Sequence, residues 1–240
     1  MIRRTLALSI ISLGSLCLPA QAANLDYINL LNQSQFLQLS EDFGAALSYK
    51  PLQPSEPLGV LGFDIGIAAT STKMENSANY AAAFSDSVPT SLVVPTLRAS
   101  IGLPFNFDVG VSYGAVPDSN IELLGAELRY AFIAGGTATP AVAVRASYTT
   151  LAGIDQLKFS TTAVDLSISK GFAMFTPYAG IGKVWVRSVP EASTNLAEEN
   201  FDLNKLFAGF NMNFAVINIA VEGDKTGDAT SYGVKLGWRF

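Results

Sequence analysis

From Leu58 onward the chain alternates. In LGVLGFDIGIAAT, Leu61, Phe63, Ile65, Ile67 and Ala69 fall on one side of an extended backbone, and Gly62, Asp64, Gly66 and Ala68 on the other. NFDVGVSYG sets Phe107, Val109, Val111 and Tyr113 against Asn106, Asp108, Gly110 and Ser112, and AVAVRASY sets Val142, Val144, Ala146 and Tyr148 against Ala143, Arg145 and Ser147. Successive side chains of a strand point to opposite faces, so a period of two means strands that meet two different environments. Hydrophobic residues make up 49% of the chain and charged residues 15%, against roughly 25% charged in soluble domains. That much apolar surface needs a second apolar medium or a very large core. Yet beyond residue 22 no run approaches the ~20 apolar residues of a membrane-spanning helix. Together these predict an all-β fold, a transmembrane antiparallel up-and-down β-barrel, whose strand signal is alternating and weak per segment.

Ten strands are expected, over 58–71, 90–103, 105–115, 121–133, 140–150, 157–170, 176–188, 204–213, 214–223 and 229–240. Most reach the ~9–11 residues with which a tilted strand crosses a bilayer. The connections sort by side. Segments 72–89, 116–120, 151–156, 189–203 and 224–228 alternate with tight turns near Pro104, Gly135-Gly136, Phe172 to Phe175, and Asn211 to Asn213. Outer-membrane barrels carry short turns on the periplasmic side and longer loops outside. Aromatic residues sit near strand ends on the apolar face (Phe105, Tyr113, Tyr130, Phe132, Tyr148, Tyr178, Trp238 and Phe240), as interfacial girdles do. A soluble sandwich would bury that face instead.

The first residues read as an address. MIRR is basic, TLALSIISLGSLCL is apolar, and Ala20-Gln21-Ala22 has the form of a cleavage site, so residues 1–22 are expected to be a signal peptide. The single cysteine, Cys17, lies within it, which leaves the remainder without thiol chemistry. Losing Arg3 and Arg4 takes 15 basic residues to 13 against 20 acidic, a net charge of −7. Nucleic-acid binding relies on Lys and Arg at phosphates, so no nucleic-acid partner is expected.

The last ten residues, SYGVKLGWRF, carry Tyr232, Val234, Leu236, Trp238 and Phe240 on one face and Ser231, Gly233, Lys235, Gly237 and Arg239 on the other. This resembles the closing strand of a bacterial outer-membrane β-barrel. The resemblance implies that these five apolar residues are the signal read by the outer-membrane assembly machinery. It also implies a Gram-negative outer membrane, with outer-membrane lipids and lipopolysaccharide as surroundings. The chain is similar both to small porin-like proteins linked to hydrophobic solutes and to uncharacterised proteobacterial barrels.

Residues 23–57 precede the barrel of 58–240. Leu25, Ile28, Leu31, Phe36, Leu39, Phe43 and Leu47 recur at helical intervals, and Pro51, Pro54 and Pro57 then break regular structure. A short periplasmic helical segment, a plug in the lumen, and an extra strand near 43–49 are the alternatives. By parity the lumen receives Asp64, Asp108, Glu127, Asp165 and Glu222, with Arg98, Arg129, Arg145, Lys183, Arg187, Lys235 and Arg239. Asp64, Arg98, Asp108, Glu127, Arg129, Arg145, Asp165 and Lys183 are the candidate lumen electrostatics. They serve either an ion-paired filling or a narrow charged pore. The lumen glycines 62, 66, 110, 114, 125, 209, 233 and 237 leave room there.

The chain has no histidine, and the familiar outer-membrane barrel enzymes use one as general acid or base. No catalytic residue, cofactor or metal is expected. Glu191, Glu198, Glu199 and Asp202, and Asp224 with Asp228, read as solvated acidic loops rather than calcium loops. The outer segment ANYAAAFSDSVP, 78–89, holds Tyr80 and Phe84, suited to a lid, to contact with a hydrophobic ligand or a host surface, or to loop packing. The expected function is a narrow passive channel or carrier for small solutes of unknown identity. The alternative is a non-conducting structural or surface-interaction barrel that acts through loops 72–89 and 189–203.

Overall fold

A computed structural model describes residues 24–85, 89–117 and 119–240; the expected signal peptide with Cys17 lies outside them. Ten strands form one closed antiparallel barrel in which each strand pairs with its sequence neighbours and the last pairs with the first. They are β1 (Phe63–Lys73), β2 (Ser91–Gly102), β3 (Phe107–Ala115), β4 (Glu122–Ala134), β5 (Ala141–Ala152), β6 (Leu157–Ser169), β7 (Phe175–Pro190), β8 (Glu199–Phe214), β9 (Ile217–Thr226) and β10 (Ala229–Arg239). The seam runs from Asp64↔Arg239 to Thr72↔Ser231, so the closing strand and β1 leave no open edge. The ends of the barrel differ. The turn end holds the start of β1, Phe240 and the connections 103–106, 135–140, 170–174 and 215–216. The loop end holds 74–90 and 191–198, which exceed every connection of the turn end.

The apolar face is turned outward. Ile65, Ile67, Leu97, Val111, Ile181 and Leu236 are each about half exposed or more on the barrel's exterior. Near the turn end, Phe63 stacks on Phe240 at 5.8 Å and Phe107 on Tyr130 at 4.6 Å. Tyr113, Tyr148 and Tyr232 are exposed further toward the loop end. Tyr178 departs from the expected outward set. It is buried inside and donates to Glu222 at 2.9 Å.

Strand edges depart from expectation in three places, each with a local cause. β1 begins at Phe63 rather than 58 because Gly59 and Leu61 have positive φ, and Gly62 N–H donates to Gly59 O at 3.0 Å, closing a turn. The β8–β9 turn is at Ala215 and Val216, not at Asn211 to Asn213. Those asparagines look like turn formers, but here Asn218 Nδ2 donates to Asn211 Oδ1 at 2.6 Å and Asn213 Oδ1 at 2.7 Å within the wall. β8 starts at Glu199, so residues 199–203 of the expected loop 189–203 belong to a β7–β8 hairpin paired as far as Ser188↔Glu199, and the connection shrinks to 191–198.

The amino-terminal segment lies inside. A helix, α1 (Gln33–Leu47), starts at a capping box in which Asn32 Oδ1 accepts from Gln35 N–H and Gln35 Oε1 accepts from Asn32 N–H, both at 3.0 Å. It ends where Ser48 turns extended, three residues before Pro51. The helix touches β1, β7, β8 and β10, and strands on opposite walls can be reached only from the interior. It sits at the loop end, against a 3-10 helix of the β1–β2 connection (Ser77–Ala83), rather than at the turn-end mouth. No strand forms at 43–49; residues 33–47 are helical. Residues 48–58 then run through the lumen toward the turn end, where β1 begins.

Candidate functional site: the threaded lumen

The lumen has an apolar part and an ionic part. At the loop end, Phe36, Leu39, Phe43 and Leu47 of α1 join one buried cluster with Leu92, Val94, Leu151, Phe159, Val184 and Val186 from the wall. Phe43 meets Phe159 edge-on at 6.2 Å. At Gly44 an added Cβ would lie 2.7 Å from Val186 Cγ2, so a glycine is what allows the helix to approach β7. Asp42 fixes the helix to the β1–β2 connection. It accepts from Tyr80 OH at 2.6 Å and from Asn76 N–H at 2.9 Å. Burial raises the Asp42 carboxyl above the ordinary aspartate range, and these hydrogen bonds offset part of that. Burial and the bond to Asp42 likewise push the Tyr80 phenol up. Tyr80 and Phe84 are therefore buried loop packing, not an exposed apolar loop.

Toward the turn end the interior is ionic. Lys50, Arg98, Arg129, Arg145, Lys205 and Lys235 face Asp64, Asp108, Glu127, Asp165, Glu222 and Asp224, all buried. Lys235 Nζ meets both oxygens of Asp64 at 2.9 and 2.8 Å. Arg129 holds Asp108 Oδ2 through Nε at 3.0 Å and Nη2 at 2.8 Å. Lys50 pairs with Asp224 at 2.9 Å and Lys205 with Asp165 at 3.5 Å. Arg145 Nε lies 2.7 Å from Glu127 Oε2, an ion pair rather than an aligned hydrogen bond. Buried charges need such partners; five acids and five bases pair in this way, while Glu222 accepts from Leu52 N–H and Tyr178 OH and Arg98 donates to Lys50 O.

The wall holds residues 47–58 by their main chain. Thr149 donates to Leu47 O at 2.9 Å and Lys205 to Tyr49 O at 2.7 Å; Arg98 donates to Lys50 O and Arg129 to Pro54 O. In the other direction Leu52 N–H donates to Glu222 at 2.8 Å, Ser55 N–H to Ser169 Oγ at 3.1 Å, and Leu58 N–H to Asp108 at 2.9 Å. The Arg98 guanidinium also lies over the Tyr49 ring, 4.7 Å from its centre. At two of the lumen glycines the room is filled by side chains of this segment. A Cβ at Gly233 would meet Leu52 Cδ2 at 2.9 Å, and one at Gly125 would meet the Tyr49 ring at 3.3 Å. Between thread and wall, beside Ser48, Tyr49 and Arg98, is a cavity of about 30 Å³, on the scale of a single water.

Seven of the eight candidate lumen residues (Asp64, Arg98, Asp108, Glu127, Arg129, Arg145 and Asp165) are buried inside. Lys183 is not. It faces outward, 44% exposed at its side chain, and pairs with Asp202 at 2.7 Å; Arg187, outward too, pairs with Glu198 at 2.8 Å. On β7 both faces are apolar, since Trp185 points out and Val184 and Val186 pack on α1, so parity carried no signal there. Lys50, Lys205 and Asp224 were missed. Asp224 was expected in an acidic loop but points inward from β9 to Lys50; Lys205 lies on the inward side of the unrecognised part of β8–β9 pairing, at Lys205↔Thr226. Of the closing strand, Tyr232, Val234, Leu236, Trp238 and Phe240 are all exposed on the exterior.

No protein-family model matches the chain, and no curated protein does. Among solved structures it is similar to the N-terminal β-barrel domain of Pseudomonas aeruginosa OprF. That likeness has 14% identity and a TM-score of 0.36, over 74% of this chain and 97% of that one. It is also similar to Neisserial surface protein A, at 11% identity and a TM-score of 0.32 over 74% and 95%. The translocator domain of the autotransporter NalP from Neisseria meningitidis matches at 10% identity and a TM-score of 0.36 over 86% and 95%. These are likenesses of fold, to bacterial outer-membrane β-barrels.

Proposed function

We propose that this is an outer-membrane barrel sealed by its own amino-terminal segment, non-conducting at rest, which acts through the surface at its loop end. The observation that carries this reading is the filled lumen. Residues 33–58 occupy it from the apolar core around Phe43 to the Leu58–Asp108 hydrogen bond. The exterior of half-exposed Ile, Leu and Val between two aromatic levels suits a bilayer, with lipids and lipopolysaccharide as its surroundings and the loop end outside. In this reading residues 1–22 are removed on export, and the assembly machinery reads the closing strand, so deleting Phe240 impairs insertion. The buried carboxylates serve as ion-pair partners rather than as acid–base catalysts.

A gated channel for small solutes is the second reading, and one observation favours it. The thread is held largely by polar contacts to wall charges, so a wall freed of the thread would be lined by groups that water can solvate. Conductance of the refolded mature protein in a planar bilayer tests both. The sealed barrel predicts silence in the intact protein and steady openings once residues 24–57 are deleted. Steady openings of the intact protein would sink the sealed reading in favour of the channel.

A further inference from the structure

Two facts about residues 47–58 belong together. The chain enters the barrel at the loop end, where Leu25 bridges to Phe84 and Ser85 N–H donates to Asn24 O, and leaves at the turn end. And the wall grips it mostly by groups that every residue has, through donors such as Arg98 and Lys205 on carbonyls and acceptors such as Glu222 on an N–H. A backbone that is neither helix nor sheet must find partners for its polar groups in a dry interior. Here the wall supplies partners for four carbonyls and three N–H groups, and Pro51, Pro54 and Pro57 bring no N–H that would need one.

We propose that the lumen is a binding site for an extended polypeptide segment, filled by the chain's own residues 48–58. By it the barrel holds its amino-terminal end on the loop face. The ligand class follows from the contacts: an extended chain read by its main chain, with side-chain identity secondary. The exceptions, which set the register, are Lys50 paired with Asp224, the Tyr49 ring under Arg98, and the Ser55 hydroxyl, which donates to Ser167 Oγ at 2.9 Å. The amino-terminal end of the folded chain is thus part of the surface that the proposed function assigns to the outside, and the inference rests on that reading for which side of the membrane this is.

Single cysteines test it, because Cys17 is the only native one and lies in the expected signal peptide. Asn29→Cys (amino-terminal), Asn195→Cys (β7–β8 connection) and Ala138→Cys (turn end) are all at exposed positions. A membrane-impermeant maleimide on intact cells is expected to label Asn29→Cys as fully as Asn195→Cys, and Ala138→Cys only after lysis. Labelling of Asn195→Cys on intact cells with Asn29→Cys reached only after lysis would overturn the inference while leaving the loop end outside. Labelling of Ala138→Cys on intact cells, with Asn195→Cys closed, would overturn the orientation in the proposed function. In that case Asn29→Cys must still follow Asn195→Cys, or the inference falls too. The main-chain grip has its own arm: Glu56→Ala, at a half-buried position of the thread, combined with Asn29→Cys in the full chain, is expected to leave labelling and the gel shift between unheated and boiled protein unchanged. Loss of either would show that side chains, not the main chain, are recognised.

Discussion

The two parts of the lumen hold the same segment by opposite means. Around α1 the contact is apolar, with Phe36, Leu39, Phe43 and Leu47 packed on Val184, Val186 and Phe159 as in the core of a soluble domain. Around residues 49–58 the contact is charge and hydrogen bond. Apolar burial is non-directional and contributes net stability. Buried ion pairs roughly offset their own desolvation and become costly only when one partner is removed. The difference teaches a division of labour. The helix anchors the segment, while the ionic part fixes its path and register.

Breaking one ion pair is expected to have the largest effect. Arg129→Ala strands Asp108 in the interior and releases Pro54 O, a loss of about 3–5 kcal/mol readable as a lower temperature for the unheated-to-boiled gel shift. Replacing both members of a pair sharpens the point: Asp64→Leu with Lys235→Met leaves neither member of that pair behind and is expected to cost much less than Arg129→Ala. Destabilisation by the double change as large as by Arg129→Ala would mean that the ionic part itself supplies net stability.

Leu39→Ala in the apolar part is expected to cost ~2–5 kcal/mol, because Leu39 is wholly buried in the cluster. The same measurement checks it, and no change would mean that α1 is not an anchor. A smaller effect should follow pH. Since burial raises the Asp42 carboxyl in the fold, its contribution is fully present below the ordinary aspartate range. It is lost as pH rises through the raised value. Through this group the fold is therefore more stable in acid, and Asp42→Asn should flatten the dependence of melting on pH from acid to neutrality. The least effect is expected on the exterior: Lys183→Ala removes a half-exposed pair with Asp202, worth at most about 1 kcal/mol.

Most of the barrel was legible because an apolar exterior and a polar interior impose a clean period of two, as along Ile65, Ile67 and Ala69 against Asp64, Gly66 and Ala68. Reading failed where the lumen is itself apolar. Val184 and Val186 on β7, and Phe201 and Leu203 on β8, point inward toward α1, so neither face is polar and parity has nothing to follow. That loss turned Lys183 and Arg187 the wrong way and hid the first third of β8. The same residues are also the signal that was available. Strands that carry apolar residues on the lumen face only toward their loop end, such as Leu92 and Val94 on β2 and Leu157 and Phe159 on β6, announce an apolar body inside that end of the barrel. The helical spacing of Phe36, Leu39, Phe43 and Leu47 supplies that body. The main-chain grip on residues 49–58 was not legible, because contacts to carbonyl and N–H groups leave no mark on side-chain pattern.

The central claim, that the chain threads its own barrel, is tested most directly by a bridge between thread and wall. Leu52 and Gly233 lie on residue 52 of the thread and on β10, with a Gly233 Cβ only 2.9 Å from the Leu52 side chain. In a chain without Cys17, the pair Leu52→Cys and Gly233→Cys should be joined by oxidation or by a short bifunctional thiol reagent, changing the migration of the boiled protein. Two free thiols in a folded barrel, recovered unbridged, would contradict the account.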